Sequence, residues 1–246
     1  MKLKVLSYNI HKGFSTTNRK FVLKGIKDAI QETGAEIVFL QEVVGSNSSK
    51  KHIIDDWHNQ AQFEYLSNEL FEHHVYGKNS VYTKGDHGNA ILSKYPVSFS
   101  ENIDISTNPF EKRGILHTVI EVNDKKVHAL CLHLNLLESG RKVQIEKLCT
   151  RINSHVNESE PILLAGDFND WRTNISDVLE ENVSLKDAHL TKHGVHAKTF
   201  PSASPFLSLD RIYFRGIQIE SVEVKSDGNW KKLSDHVALF ATFDLM

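Results

Sequence analysis

Short apolar runs and stretches of helical spacing alternate from one end of the chain to the other. Lys2–Ile10 is apolar until it runs into polar residues, and it predicts a strand. Arg19–Thr33 carries Val22, Leu23, Ile26 and Ile30 at helical spacing. Ile37–Leu40 and Ile162–Ala165 are short buried-type strands, and Asn89–Ser93, Gly114–Val122 and Lys126–Leu134 read as strands as well. Asn123–Asp124 supplies a hairpin turn between the last two. Glu138–Val156, with Val143, Ile145, Leu148 and Ile152, predicts a long amphipathic helix. Leu207–Phe214, Ile217–Lys225 and Val237–Phe243 complete the strands. Gly45–Asp56 and Ala197–Phe206 read as long loops, where binding residues tend to concentrate. The pattern predicts an α/β chain with two packed sheets flanked by helices.

A length of 246 residues suits one large domain or two small ones, and a single domain spanning 1–246 is expected. Hydrophobic residues at 40% and charged residues at 24% are ordinary for a globular protein. The net charge of −2 lacks the basic field of a general nucleic-acid binder, which turns attention to local clusters. Cys131 and Cys149 fit neither a zinc pair nor a redox motif, and Cys131 inside HALCLHL reads as a buried thiol. The first residues read as a strand rather than a secretory signal, and no apolar run is long enough to span a membrane. The expectation is therefore a cytoplasmic protein with no transmembrane segment and no obligate protein partner.

Polar clusters sit at or beside the ends of the apolar strands: Tyr8–His11, Gln41–Glu42, His133–Asn135, Gly166–Asp170, Leu209–Arg211 and Ser234–His236. Any one of them is explained by turn chemistry. Together they combine carboxylates and amides, which suit a hard cation, with histidines, which suit phosphate and proton handling. Their order and spacing resemble the endonuclease/exonuclease/phosphatase superfamily, in the manner of a small bacterial member related to pancreatic-type deoxyribonucleases and neutral sphingomyelinases. GDFN at Gly166–Asn169 and SDH at Ser234–His236 carry the resemblance most strongly, with QE at Gln41–Glu42, LDRIY at Leu209–Tyr213 and YNI at Tyr8–Ile10 behind them.

The resemblance implies a four-layered α/β sandwich whose two sheets are mainly antiparallel, with the site at one end of both. It implies a divalent-metal-dependent phosphohydrolase using Mg²⁺ or Mn²⁺. The expected chemistry is that of a phosphodiesterase of nuclease or phospholipid-diesterase type. Its substrate would be a phosphate ester in nucleic acid, phospholipid or a small molecule. The alternatives are a phosphomonoesterase of an inositol-phosphate-like substrate and a non-catalytic phosphate-binding module.

By the same resemblance, Glu42 is a metal ligand, and Asn9 and Asp235 line the metal site. Asp167 orients or deprotonates the attacking water, and Asn169 holds that carboxylate or the phosphate. Asp210 and His236 form a carboxylate–imidazole pair, and His133 donates to a phosphate oxygen. Arg113, Asn89 and Asn135 are substrate-binding candidates; Arg113 also reads as a solvated charge, and Asn135 as the start of a turn. Gln41 is expected to orient its loop, Asp170 to be a turn acceptor, and His11, Tyr82 and His87 to be rim residues. Trp171, Trp230 and Phe206 are expected to pack in the core. Lys50–Lys51, Lys112–Arg113 and Lys231–Lys232 are the cations available to a polyphosphate.

Overall fold

The central strands of each sheet bury both faces, and the architecture follows from that. The computed structural model describes residues 1–17, 19–47 and 60–245. The predicted loop at Gly45–Asp56 lies partly outside them, as do Lys50 and Lys51; Gly45 to Asn47 extend a strand. The first sheet has the order β11 (Gln218–Lys225), β12 (Ala238–Asp244), β1 (Lys2–Asn9), β2 (Ile37–Asn47), β4 (Gly85–Ser93) and β3 (His73–Tyr82). The second has the order β5 (Val97–Asp104), β6 (Gly114–Val122), β7 (Lys125–His133), β8 (Ile162–Asp167), β10 (Asp210–Arg215) and β9 (Lys186–Asp187). Each sheet contains one parallel pair, β1 with β2 and β7 with β8, and the other pairings are antiparallel. Parallel neighbours need a crossover. Helix α1 (Leu23–Thr33) supplies the first and α3 (Glu138–His155) the second.

Side-chain parity sorts the apolar residues into layers. Leu3 and Val5 of β1, Ile37 and Phe39 of β2, Ala129 and Cys131 of β7, and Leu163 and Ala165 of β8 pack between the sheets. Leu6, Tyr8, Val38 and Leu40 face outward against α1 and against α6 (Trp230–Leu233). Leu130, Leu132 and Leu164 face the other way, onto α3 and α4 (Ile175–Val183). Three apolar layers between four layers of structure make the α/β sandwich. Among the described residues no helix is long and apolar enough to cross a membrane.

The edges depart from the sequence expectation. β3 and β5 were not expected as strands: HHVYGKNSVY is largely polar, and β5 is mostly exposed, as edge strands often are. α1 begins at Leu23, so Arg19–Val22 is not helical. Ala197–Phe206 is irregular, as expected, and is tied down where Thr199 N and Phe200 N both bond the Leu207 carbonyl.

At the end of the second sheet where β7 and β8 begin, Arg151 Nε donates to His117 Nδ1 at 3.0 Å. His117 is therefore a neutral acceptor there, and its Nε2–H points at His128 Nδ1 at 2.8 Å. Burial, then the His128 and Arg151 charges, push the His117 pKa down to about 3. A depressed imidazole binds its proton in the unfolded chain first. Its contribution to stability is thus complete above about pH 6.5 and is lost as pH falls towards 3. The His117→Gln variant is expected to show a shallower fall in urea midpoint between pH 6.5 and 4 than the native chain; equal slopes would contradict this.

Candidate active site

The same parity that builds the inter-sheet core delivers polar groups at its end. Asn9 continues the Leu3–Val5 face of β1, Gln41 the Ile37–Phe39 face of β2, and Asn89 precedes Ile91 on β4. His133 continues the Ala129–Cys131 face of β7, Asp167 the Leu163–Ala165 face of β8, and Asp210 precedes Ile212 on β10. All six side chains enter the space between the sheets where the apolar layer stops, and all six are buried.

Contacts across the gap follow. Asn9 Nδ2 donates to Asp167 Oδ2 at 3.1 Å, joining the two sheets. Asn9 Oδ1 accepts from His11 N at 3.1 Å and keeps a second lone pair. Asp167 Oδ1 accepts from Asn169 N at 3.0 Å. Asn169 sits at φ 50° and donates from Nδ2 to the Leu134 carbonyl at 2.9 Å. Gly166 is required because a Cβ there would strike the Leu132 carbonyl. Asp210 and Asp167 are directly opposed across β10 and β8. Asp210 Oδ2 lies 2.7 Å from His236 Nδ1, and His236 Nε2 lies 3.8 Å from Asp167 Oδ2. Ser234 Oγ donates to the Asn9 carbonyl at 2.7 Å and accepts from His236 N at 3.3 Å, so the SDH turn is held against β1. The Phe200 ring lies 4.9 Å from the His236 ring.

Glu42 reaches its place by a bulge. Leu40 pairs with Ala90 and Val43 with Gly88, so β2 carries one extra residue, and Glu42 takes φ 56°. Without that residue Glu42 would point with Leu40 into the outer helical layer. Its carboxylate is partly exposed and lies 3.8 Å from Lys12 Nζ. Asp235 Oδ1 lies 3.5 Å from His11 Nδ1. Lys12 was not singled out in the sequence; the left-handed backbone at His11 and Lys12 aims it, and Gln62 Nε2 holds the Lys12 carbonyl at 2.8 Å.

Electrostatics divide the groups. Burial opposes charge on His236, but the Asp210 carboxylate outweighs it and raises the pKa to about 10, so the ring is an imidazolium. Burial pushes Asp167 above the ordinary carboxylate range, His236 pulls it back and Asp210 adds to the rise. Burial, then Arg113 and His236, hold His133 well below the usual range, and the neutral ring lies with Nε2 3.4 Å from Asp167 Oδ2.

The remaining candidates sit further out or are spent internally. Asn89 Nδ2 donates to the Gly114 carbonyl at 3.1 Å, bridging the sheets. Asn135 donates to Thr107 Oγ1 of the β5–β6 connection at 2.7 Å and accepts from Gln144 Nε2 of α3 at 2.9 Å. Arg113 pairs with Glu111 at 3.0 Å and bears on His133 and His87. Gln41 Nε2 donates to Cys131 Sγ at 3.3 Å. Asp170 is more than a turn acceptor: it pairs with buried Arg211 at 3.2 Å and caps Ile175 N at 2.9 Å. Trp171 and Phe206, expected in the core, are exposed at 46% and 64%; Trp230 is buried against Tyr8.

A model of the endonuclease/exonuclease/phosphatase family matches residues 6–236, from β1 to His236. The chain belongs to this family. It is 39% identical over 244 residues to the uncharacterized protein YbhP of Escherichia coli K12, covering 98% of this chain and 96% of YbhP. A more distant similarity, 26% identity over 184 residues, reaches sphingomyelinase C of Bacillus cereus and covers 67% of this chain and 54% of that one. Among solved structures, the endonuclease/exonuclease/phosphatase of Bacteroides vulgatus superposes with a TM-score of 0.78 at 21% identity, covering 100% of both chains.

Arg211, beside Asp210 in the chain, has a structural role. Its guanidinium is on the opposite face from Asp210, buried, and donates to the Asp170 carboxylate and carbonyl that shape the turn after Asp167. Replacing Arg211 with Met strands a buried carboxylate and is expected to cost about 3–5 kcal/mol in urea unfolding. A loss under about 1 kcal/mol would contradict that role.

Proposed function

We propose that residues 1–246 form one catalytic domain of a divalent-metal-dependent phosphodiesterase, using Mg²⁺ or Mn²⁺. The observation that carries this reading is the buried meeting of Asp167, Asp210, His236 and Asn9, drawn from both sheets.

The donor chemistry fits a hard cation. Glu42, Asn9 and Asp235 offer oxygen atoms, and the strained bulge at Glu42 keeps a carboxylate out of the helical layer. A second group, Asp167, Asp210 and His236, has potential ligand atoms within 4.8 Å of one another. His236 is a poor ligand there, because its Nδ1 already faces Asp210 and its charge excludes the free lone pair a metal requires. We therefore assign the cation to Glu42, Asn9 and Asp235. When bound, it supplies positive charge that polarises a phosphoryl oxygen and draws the neighbouring carboxylates into their ionised forms.

Asp167 aligns the attacking water and takes its proton as the new oxygen–phosphorus bond forms. Asn9 and the Asn169 backbone N–H fix the carboxylate for that task. The His236 imidazolium, held by Asp210, stabilises charge on the phosphoryl oxygens as the bond to the leaving oxygen breaks. Neutral His133 donates a hydrogen bond to a non-bridging oxygen, and Arg113 stands beside it as a further phosphate contact.

Hydrolysis of bis-p-nitrophenyl phosphate in Mg²⁺, abolished by chelator, tests this directly. Glu42→Ala is expected to lose the metal-dependent rate. Asp167→Asn is expected to fold and to lower kcat by about 100- to 1000-fold. Full activity in Asp167→Asn, or phosphate binding without turnover in the native chain, would overturn the reading.

A further inference from the structure

The strand ends that carry the site also carry an unusual share of the molecule's exposed apolar side chains. Along the second sheet, β6, β7, β8 and β10 are consecutive neighbours, and β6 and β10 run antiparallel to β7 and β8. The segment before β6, those after β7 and β8, and the one before β10 therefore emerge at one end. Each bears a large exposed apolar residue: Phe110 at 95%, Leu137 at 69% beside exposed Leu136, Trp171 and Phe206. These same segments lead into or out of Arg113, His133, Asp167 and Asp210. The β3–β4 hairpin of the first sheet adds exposed Val81 and Tyr82 at the end where β2 carries Glu42. Seven of the twelve exposed large hydrophobic residues among those described thus lie on segments at the site's end of the sheets. Concentration of exposed apolar side chains at one end marks an interaction surface rather than scattered surface residues.

The segments are tied to one another and do not hang free. Leu136 N donates to Glu111 Oε1 at 3.2 Å, and Asn135 Nδ2 to Thr107 Oγ1 at 2.7 Å. Arg141 Nη1 donates to the carbonyls of Asn135 and Leu136, and its guanidinium stacks 4.8 Å from the Trp171 ring centroid. Phe110, Leu136, Leu137 and Trp171 are therefore presented by a braced platform. Lys112, Lys142 and Arg172 are exposed cations beside them, although the chain as a whole carries −2. Arg172 and Lys142 both lean on Glu138.

We propose that this end of the molecule docks on an anionic phospholipid surface and takes its phosphodiester from the headgroups. Aliphatic and aromatic tips enter the apolar side of the interface while flanking cations meet the phosphates, as in interfacial binding generally. Single-stranded nucleic acid fits less well. Leu136 and Leu137 have no π-face on which a base could stack. The docking stands on the surface alone; the headgroup substrate rests on the phosphodiesterase reading.

Co-sedimentation of the native chain with phosphatidylcholine vesicles, with and without phosphatidylglycerol, tests the proposal. Binding to the phosphatidylglycerol vesicles is expected. The double variant Phe110→Ser, Leu137→Ser is expected to bind them at least about tenfold more weakly, while hydrolysing soluble bis-p-nitrophenyl phosphate at the native rate. Val195→Ser, which removes an exposed apolar residue that is not one of these seven, is expected to bind as the native chain does. Failure of the native chain to bind either vesicle would overturn the proposal, as would undiminished binding by the double variant. So would a single-stranded oligonucleotide that binds through Phe110 and Leu137 when vesicles do not. Vesicle binding by a chain that hydrolyses no diester would leave the docking standing and remove the hydrolase reading.

Discussion

Everything at the site depends on the apolar layer between the two sheets. Leu3, Val5, Ile37 and Phe39 on one side and Ala129, Cys131, Leu163 and Ala165 on the other fix which face of each strand turns inward. Strand side chains alternate, so the inward face persists to the end of each strand. There it becomes Asn9, Gln41, Asn89, His133, Asp167 and Asp210. The polar cluster is the continuation of the core by another chemistry. The Asn9–Asp167 hydrogen bond is where the two sheets meet in that second chemistry. Burying these groups is costly unless they are paired; Asn9 bonds Asp167 and Asp210 meets His236, while Asn89 and Gln41 bond the Gly114 carbonyl and the Cys131 sulfur.

The charges in the cluster are set by the same burial. Asp210 is close enough to keep His236 cationic in a place that otherwise disfavours charge. Asp167, opposed to Asp210, is driven towards its neutral form. In the proposed reaction Asp210 serves as the counter-ion of His236 and Asp167 as the proton acceptor. A cation held by Glu42, Asn9 and Asp235 would tip Asp167 into its ionised form and complete that division.

Much of this was legible in the sequence. The runs LKVLSYN, IVFLQ and ILLAGD show their two-faced burial, and reading their parity alone places Asn9, Gln41 and Asp167 on the face of Val5, Phe39 and Ala165. The motifs GDFN and SDH marked the turns that bring Asp167, Asn169 and His236 to the cluster. What could not be read has physical causes. β3 and β5 are edge strands with too few apolar residues to announce themselves. Glu42 breaks parity through a bulge that pairing alone reveals. Lys12 is aimed by left-handed backbone whose supports, including Gln62, lie far away in sequence. Trp171 was expected in the core because tryptophan is usually buried; Arg141 instead holds its ring at the surface. Asn135 matched a substrate contact by position, yet its amide is engaged at both ends, by Thr107 of the β5–β6 connection and by Gln144 of α3.

The most direct measurement is an anomalous-difference map from crystals of the native chain grown with Mn²⁺ and inorganic phosphate. The account predicts a manganese peak at bonding distance from a Glu42 carboxylate oxygen, with phosphate oxygens facing His133 and His236. A peak ligated by His236 Nδ1 in place of Asp210, or phosphate bound away from Asp167 with no manganese beside Glu42, would contradict it.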